Sequence, residues 1–183
     1  MSNGIAVYKR PARIMHWLTV LLVFLTIPAA MIMLRPGIER SLQDPLFIFH
    51  KNVGVVIFIL VALRLIYRLA NPSPPLPAAM PRLQRLAAET NHWALYVLLL
   101  VMTVSGYVRV TTGGFPLEGL DAMGVPRFLP RSDTISETAK AVHAVARVPL
   151  VLLIALHIGA AIFHGFRRDG ILARMIPALA RRG

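Results

Sequence analysis

The feature that most constrains this chain is a set of four apolar segments, each long enough to cross the ~30 Å hydrocarbon core of a bilayer. They cover approximately residues 14–34, 46–67, 92–108 and 142–166. Main-chain amides inside a bilayer must bond within their own segment, so such segments form helices. With 56% hydrophobic and only 15% charged residues, the chain is predicted to be one all-α membrane domain, a four-helix bundle over residues 1–183.

The segments around these spans have distinct compositions. The first apolar run follows basic residues but ends without a small-x-small cleavage site, so we expect a retained span rather than a signal peptide. NPSPPLPAAMPRLQRL, residues 71–86, is predicted to form a loop because its prolines forbid a continuous helix. Residues 111–139, rich in glycine, proline and acidic residues, are long enough to form a small cap.

Lysine and arginine are distributed unevenly about the spans, which predicts the orientation of the bundle. Both termini are predicted to face the cytoplasm, because that side carries twelve basic residues against eight, and the outer side holds most of the acids. Anionic lipid and this topology account for the net charge of +12, so nucleic acid is not a predicted partner. The cytoplasmic set is Lys9, Arg10, Arg13, Arg64, Arg68, Arg82, Arg85, Arg167, Arg168, Arg174, Arg181 and Arg182; the outer set is Arg35, Arg40, Lys51, Arg109, Arg127, Arg131, Lys140 and Arg147.

The fourth apolar segment contains two histidines in the stretch KAVHAVARVPLVLLIALHIG, residues 140–159. His157 is fourteen positions after His143, which in a helix corresponds to about 21 Å along the axis and a rotation of about 40°. The two imidazoles are therefore predicted to share one helix face at different depths.

Each of these histidines has a partner at matching depth in another span. His16, at the cytoplasmic end of the first span, matches His157, and His50, near the outer end of the second, matches His143. A lone histidine in a span is ordinarily an interfacial residue or an interhelical hydrogen-bonding group. Two depth-matched pairs instead indicate bis-imidazole ligation of two b-type haems stacked across the bilayer.

The chain has no cysteine, which narrows the possible cofactors. Disulfides, thiolate-held iron–sulfur clusters, thiolate zinc sites and covalently attached c-type haem are all excluded. Histidine pairs without carboxylate or thiolate partners would also leave a zinc tetrahedron half empty. Any haem is therefore predicted to be held non-covalently.

Several motifs together resemble the bacterial cytochrome b561 family of four-helix, dihaem, inner-membrane proteins. They are RIMHWLTVLLVF in the first span, HKNVG and RLIYRLANPSPP at the ends of the second, HWALYVLLLVMTVSGY in the third, KAVHAVARVPLVLLIALHIG in the fourth, and RMIP near the C-terminus. The resemblance implies that His16 and His157 bind the cytoplasmic-side haem, and that His50 and His143 bind the periplasmic-side haem. It also implies a multi-pass protein of the bacterial inner membrane.

Four further residues are predicted to lie beside the haems. Gly54, one helical turn after a predicted ligand, would let a porphyrin approach, although a small residue at a helix crossing is an equally ordinary interpretation. Arg64 and Arg68 could hold haem propionates or could simply anchor the cytoplasmic end of their span. Arg147 lies too deep to be a comfortable anchor, which favours a propionate or an outer-side partner.

Two histidines and two arginines near the cytoplasmic side are candidates for a quinone site. A quinone needs hydrogen-bond donors to its carbonyls and a proton source, and histidine supplies both near neutral pH. The candidates are His92, His164, Arg82 and Arg85. The alternative is that the two histidines are interfacial anchors.

The predicted function is the transfer of single electrons between an outer-side reactant and the ubiquinone pool. Members of the resembled family are associated with quinone, and some with oxidation of superoxide at the periplasmic face, where the outer cations could steer an anion. Acidic residues on the same side oppose that field. The alternatives are a haem-b anchor subunit relaying electrons within a larger dehydrogenase or hydrogenase, and a transporter using the histidines as a proton relay. The sequence shows no phosphate loop, nucleophile elbow, flavin or nicotinamide motif.

Overall fold

The structure, a computed structural model, describes residues 6–77 and 80–181. Within these ranges it contains helices and no strand. The four long helices are α1 (Arg10–Met33), α2 (Arg40–Ala70), α3 (Arg82–Thr112) and α5 (Asp133–Arg167), and the short α4 (Glu118–Ala122) lies between α3 and α5. Two 3₁₀ helices, Leu172–Arg174 and Pro177–Arg181, follow α5 and are called here the C-terminal segment (residues 172–181).

All four long helices are long and apolar enough to cross a membrane. They have 24, 31, 31 and 35 residues, and at about 1.5 Å per residue even the shortest exceeds the hydrocarbon thickness. Large apolar side chains lie on the outside, where lipid would contact them, and small polar ones such as Thr19, Thr26 and Ser105 are buried. The prediction of an all-α protein with four membrane-spanning helices is confirmed.

The long helices begin earlier than the predicted spans. α3 starts ten residues before the apolar span at 92, because the polar stretch from Arg82 to Asn91 contains good helix formers and neither proline nor glycine. The loop predicted for residues 71–86 is therefore wrong for its last five residues; residues 78 and 79 lie outside the described ranges. α5 starts after Ser132, whose Oγ accepts a hydrogen bond from the Ile135 amide at 3.4 Å. It continues without interruption through Pro149.

The helices pack as two pairs joined on one side. α1 packs along α2, α3 packs along α5, and α2 also contacts α3. Within the described ranges, no Cα atom of α5 comes within 8 Å of a Cα atom of α1 or α2. A gap therefore separates α5 from the α1–α2 pair, and only side chains reach across it.

The two ends of the bundle are closed differently. At one end, here called the α4 end, Asn52 on α2 bonds the Glu118 carboxylate at 2.7 Å and accepts from the Gly119 amide at 2.8 Å. At the other, the terminal end, the Tyr8 amide donates to the Arg174 carbonyl at 3.1 Å. The C-terminal segment thus folds back beneath the start of α1.

Candidate functional site

The α4-end pair consists of His50 on α2 and His143 on α5, with ring centroids 6.2 Å apart. Nδ1 of His50 lies 3.4 Å from the Thr26 carbonyl, and Nδ1 of His143 lies 2.9 Å from the Met102 carbonyl. A carbonyl oxygen only accepts, so both Nδ1 atoms carry the ring hydrogen and donate it. Each Nε2 is then left with a free lone pair, which is the usual arrangement of a metal-binding histidine.

The terminal-end pair consists of His16 on α1 and His157 on α5, also with ring centroids 6.2 Å apart. Its surroundings are more crowded. Nη2 of Arg64 lies 3.1 Å from Nδ1 of His16. The ring of His92, on α3, lies 5.4 Å from that of His157. Three histidines and an arginine therefore meet at this depth.

The spacing of both pairs fits axial ligation of a flat macrocycle. Two coaxial imidazoles on one metal, with metal–nitrogen bonds of about 2 Å and ring radii of about 1 Å, have centroids about 6 Å apart. The angle between the ring planes is free, because each ring can rotate about its metal–nitrogen bond. The described residues form no group of three or more histidine, aspartate or glutamate side chains able to hold a metal ion by themselves. A porphyrin would supply four further donors to a metal held by such a pair, so the residues of each pair fit a haem.

Two glycines lie beside the α4-end histidine pair. A Cβ atom at Gly54, one turn after His50, would meet no atom within 4 Å, so the space predicted for a porphyrin is open there. At Gly106 a Cβ atom would lie 3.3 Å from Cε1 of His143. Gly106 therefore lets the His143 ring lie close against α3. Gly106 was not predicted as a site residue, although it lies in the SGY end of the third-span motif.

The predicted propionate-binding arginines lie at both ends of the gap. Arg64 stacks on Tyr96 at 5.4 Å, and Arg68 lies over Trp93 at 5.1 Å, so aromatic rings of α3 position both guanidinium groups. Arg147 is exposed, one turn along α5 from His143.

The two histidines predicted to hold a quinone are not brought together. His92 is half-buried, and its ring lies 5.4 Å from that of His157. His164 is near the end of α5, where Nδ1 lies 2.5 Å from an oxygen of Asp169 and Nε2 lies 3.3 Å from the Gln84 amide nitrogen. They therefore lie in two separate environments.

Arginines crowd the terminal end of the bundle. Arg82 is exposed at the start of α3, whereas Arg85 is half-buried. Arg174, in the C-terminal segment, is only 5% exposed and donates to the Pro74 carbonyl. Among the described side chains, the Nε atoms of Arg13, Arg85 and Arg174 are buried without a hydrogen-bond partner. The sequence pattern gave no sign that Arg174 would be buried.

Most cations at the α4 end are neutralised by carboxylates. Arg35, Arg109 and Arg147 form no ion pair within the described ranges, and the last two interact electrostatically with the ring of His143. They are the cations that act on the α4-end histidine pair. The paired cations are Arg40 with Asp44 at 4.0 Å, Lys51 with Glu118 at 2.7 Å, Arg127 with Asp121 at 3.5 Å, Arg131 with Asp133 at 3.9 Å and Lys140 with Glu137 at 2.8 Å.

Comparisons with known proteins agree with this architecture. The family model described as prokaryotic cytochrome b561 matches residues 7–178. Cytochrome b561 homolog 2 of Escherichia coli is 29% identical over 163 residues, covering 88% of this chain and 86% of the relative. Probable superoxide oxidase CybB of Yersinia pestis is 29% identical over 164 residues, 88% and 91% of the two chains. Cytochrome b561 homolog 1 of Escherichia coli is 30% identical over 166 residues, 89% and 93%.

Proposed function

Because the chain belongs to the prokaryotic cytochrome b561 family of membrane electron-transfer proteins, we propose that it passes single electrons through two haem b groups to ubiquinone. Family membership makes it a multi-pass protein of the bacterial inner membrane, in contact with lipid, and implies haem b as its cofactor. Beyond family membership, we propose that there are two haems, that the four histidines bind them, and that electrons pass from a reactant at the α4 end to ubiquinone.

The observation that carries the proposal is the equal 6.2 Å spacing of two histidine pairs across one gap. Each haem, when bound, would supply a one-electron redox centre. The side chains orient the ligands: at the α4 end the carbonyls of Thr26 and Met102 fix the imidazole hydrogens on Nδ1. His143 and His157 are separated by about 21 Å along α5, which supports transfer between the two depths through the bundle.

At the terminal end, ligation would require Arg64 to change its partner. If Nε2 of His16 binds iron, its Nδ1 carries the hydrogen, and a guanidinium that now lies 3.1 Å from Nδ1 would face another donor. Arginine has no acceptor. A haem propionate is the kind of acceptor to which Arg64 would turn, together with the neighbouring Arg68.

The proposed reactant at the α4 end is superoxide, which would be oxidised to dioxygen. Arg109 and Arg147 support an anionic reactant, because they form no ion pair in the described ranges and lie near the histidine pair. The relative from Yersinia pestis is named a probable superoxide oxidase. The terminal end is proposed to face the cytoplasm, from which quinol formation would take its protons.

The test uses the purified chain in detergent. Haem quantitation and a redox titration are expected to give two haems b per chain, and rapid mixing is expected to show haem reduction by superoxide and reoxidation by ubiquinone. Arg109→Gln and Arg147→Gln should slow reduction several-fold and weaken its dependence on salt. Arg131→Gln is the matched control, since Arg131 already pairs with Asp133.

Three results would contradict the proposal. Protein without haem absorbance would rule out the cofactor assignment. In a second outcome, superoxide fails to reduce the haems while another polypeptide co-purifies with the chain. That result would instead indicate an electron-relay subunit of a larger dehydrogenase or hydrogenase. Equal reduction rates in the Arg109 and Arg131 variants would remove the anion-steering argument.

A further inference from the structure

We propose that residues 113–132, here called the α4 segment, lie in the lipid–water interface at the α4 end of the bundle, with Met123 and Phe128 inserted among the phospholipids. The α4 segment joins α3 to α5 and contains the short helix α4. The inference goes beyond the proposed electron transfer, because it concerns how the chain is held in the bilayer and needs no reactant.

The α4 segment exposes large apolar side chains. Phe115 is 55% exposed, Met123 70% and Phe128 72%. Exposed apolar groups concentrated in one short segment are typical of a surface that contacts lipid or another protein. Lipid contact would be favourable, because it removes their apolar surface from water.

Main-chain hydrogen bonds fold the α4 segment back towards the bundle. Gly114 has a φ of 76°, and the amide of the next residue, Phe115, donates to the Val110 carbonyl at 3.0 Å. This left-handed turn reverses the chain at the end of α3. At the other end of the segment, the Ser132 amide donates to the Thr112 carbonyl at 2.9 Å. Both ends of the α4 segment are therefore fixed at the end of α3.

The short helix α4 docks at the level of the bilayer boundary. The Gly119 amide donates to the side chain of Asn52, which lies six positions inside the span predicted for residues 46–67, or about 9 Å along the helix. On α3, Tyr107 is at the end of the span predicted for residues 92–108, and it lines a small cavity together with Leu117 and Leu120. Both contacts place α4 where the hydrocarbon meets the headgroup layer, which is about 5–8 Å thick on each side.

Charge is neutralised throughout the α4 segment. All four of its charged side chains lie in ion pairs, and a paired charge costs less to bring near hydrocarbon than an unpaired one. A soluble protein partner is instead commonly steered to its docking surface by unpaired charge of one sign. The pairing therefore favours lipid as the occupant. The pairs are Lys51–Glu118, Arg127–Asp121 and Arg131–Asp133.

Anchoring of α4 in the interface would also set the depth of the α4-end histidine pair. Asn52, which holds α4, is two residues after His50, or about 3 Å along α2. Lipid contact by Met123 and Phe128 would thus keep the His50 ring close to the membrane surface at this end. A reactant from water could then approach the pair although its helices lie in the bilayer.

The experiment uses single-cysteine variants, because the chain has no cysteine of its own. Met123→Cys and Phe128→Cys, in nanodiscs that hold one chain, are expected to react with a charged, membrane-impermeant maleimide at least tenfold more slowly than Arg40→Cys. Arg40 is the matched aqueous control, since it begins α2 at the same end and its side chain is 86% exposed. Leu152→Cys, on the outer surface of α5, is the lipid control. Every variant should keep the parent's helix content by circular dichroism.

A nitroxide attached to the same cysteines provides a second measurement. Oxygen concentrates in lipid, whereas a charged nickel chelate stays in water. Collisions with oxygen should exceed collisions with the chelate at positions 123 and 128, as at position 152, and the order should reverse at position 40.

Three results would overturn the inference. Labelling of Met123→Cys and Phe128→Cys at the rate of Arg40→Cys in both nanodiscs and native membranes would place the α4 segment in water. Fast labelling in nanodiscs together with slow labelling in native membranes would show that another protein covers the segment. Slow labelling only in discs that hold two chains would identify a second copy of the chain as the occupant.

Discussion

The two histidine pairs have the same ring spacing but opposite surroundings. At the α4 end, both imidazoles donate to main-chain carbonyls, those of Thr26 and Met102. At the terminal end, His16 faces the guanidinium of Arg64, and a third imidazole, His92, lies beside His157. Arg109 and Arg147 also interact electrostatically with the ring of His143, but it is at the terminal end that a guanidinium nitrogen lies 3.1 Å from a ring of the pair.

This difference has a consequence for electron flow. A main-chain carbonyl orients a ligand without adding net charge, whereas a nearby guanidinium stabilises the more reduced, less positive state of a haem. Arg64, Arg68 and Arg174 all interact electrostatically with the ring of His92. We therefore expect the terminal-end haem to have the higher potential, which makes transfer from the α4 end downhill.

The largest expected effect is the loss of one haem, which tests whether the two histidine pairs are independent sites. Replacing His143 by alanine removes one axial nitrogen at the α4 end and leaves His16 and His157 untouched, so the variant should retain one haem of two. A pyridine haemochrome assay per mole of protein measures this. His50→Ala should behave identically. Two haems retained in either variant would refute the pairing, and loss of both would mean that the bundle folds only with both cofactors.

A second prediction addresses the extra histidine at the terminal end. His157→Ala should lose the terminal-end haem, whereas His92→Ala should keep both haems and shift only the spectrum or potential of that haem. His157 rather than His92 is the expected ligand because its ring lies 6.2 Å from that of His16. The reverse pattern in the two variants would show that His92 binds the iron.

The sequence predicted the four helices because bilayer length and apolar content decide where a span lies. It also paired the histidines by depth, since a 14-residue spacing on α5 has a fixed rise and rotation. The position of His92 beside His157 was not predictable in this way. It depends on how α3 is rotated against α5, and no pattern within a single helix contains that angle.

Contacts made by the main chain could not be predicted from the sequence either. The carbonyls that fix His50 and His143 belong to Thr26 and Met102, whose side-chain identity is irrelevant to that bond. The burial of Arg174 arises from the fold-back of the C-terminal segment. That fold-back depends on tertiary contacts such as the bond from Tyr8 to Arg174, which sequence spacing does not encode.

A third prediction, of intermediate size, tests the electrostatic difference between the two histidine pairs. Arg64→Gln removes the cation nearest the terminal-end pair, so the midpoint potential of one haem should fall by several tens of millivolts while the other stays constant. A spectroelectrochemical titration measures both potentials. Arg167→Gln is the control, because Arg167 stacks on Phe163 at the exposed end of α5. Equal shifts in the midpoint potentials of both haems would contradict the assignment of Arg64 to one end.

The smallest effect concerns the charge pairing that closes the α4 end. Burial alone would raise the pKa of Glu118, but hydrogen bonds from Lys51 and Asn52 outweigh it and hold that pKa below its usual value. A carboxyl with a lowered folded-state pKa adds stability above its unfolded value of about 4.3, and loses that contribution as pH falls through the folded value.

Glu118→Gln should therefore loosen the docking of α4 on α2 at neutral pH by about 1 kcal/mol, the upper range for a partly exposed ion pair. Amide hydrogen exchange of residues 117–122 should be about five times faster in the variant than in the parent at pH 7, since about 1.4 kcal/mol corresponds to a factor of ten. The ratio should approach one as the pH falls below 4. Asp44→Asn, which removes an exposed carboxylate 4.0 Å from Arg40, should leave this exchange unchanged. A variant-to-parent ratio close to one at every pH, from 7 down through the acidic window below 4, would mean that the Glu118 carboxylate does not hold the α4 end closed, and that the main-chain bond from Gly119 to Asn52 is sufficient.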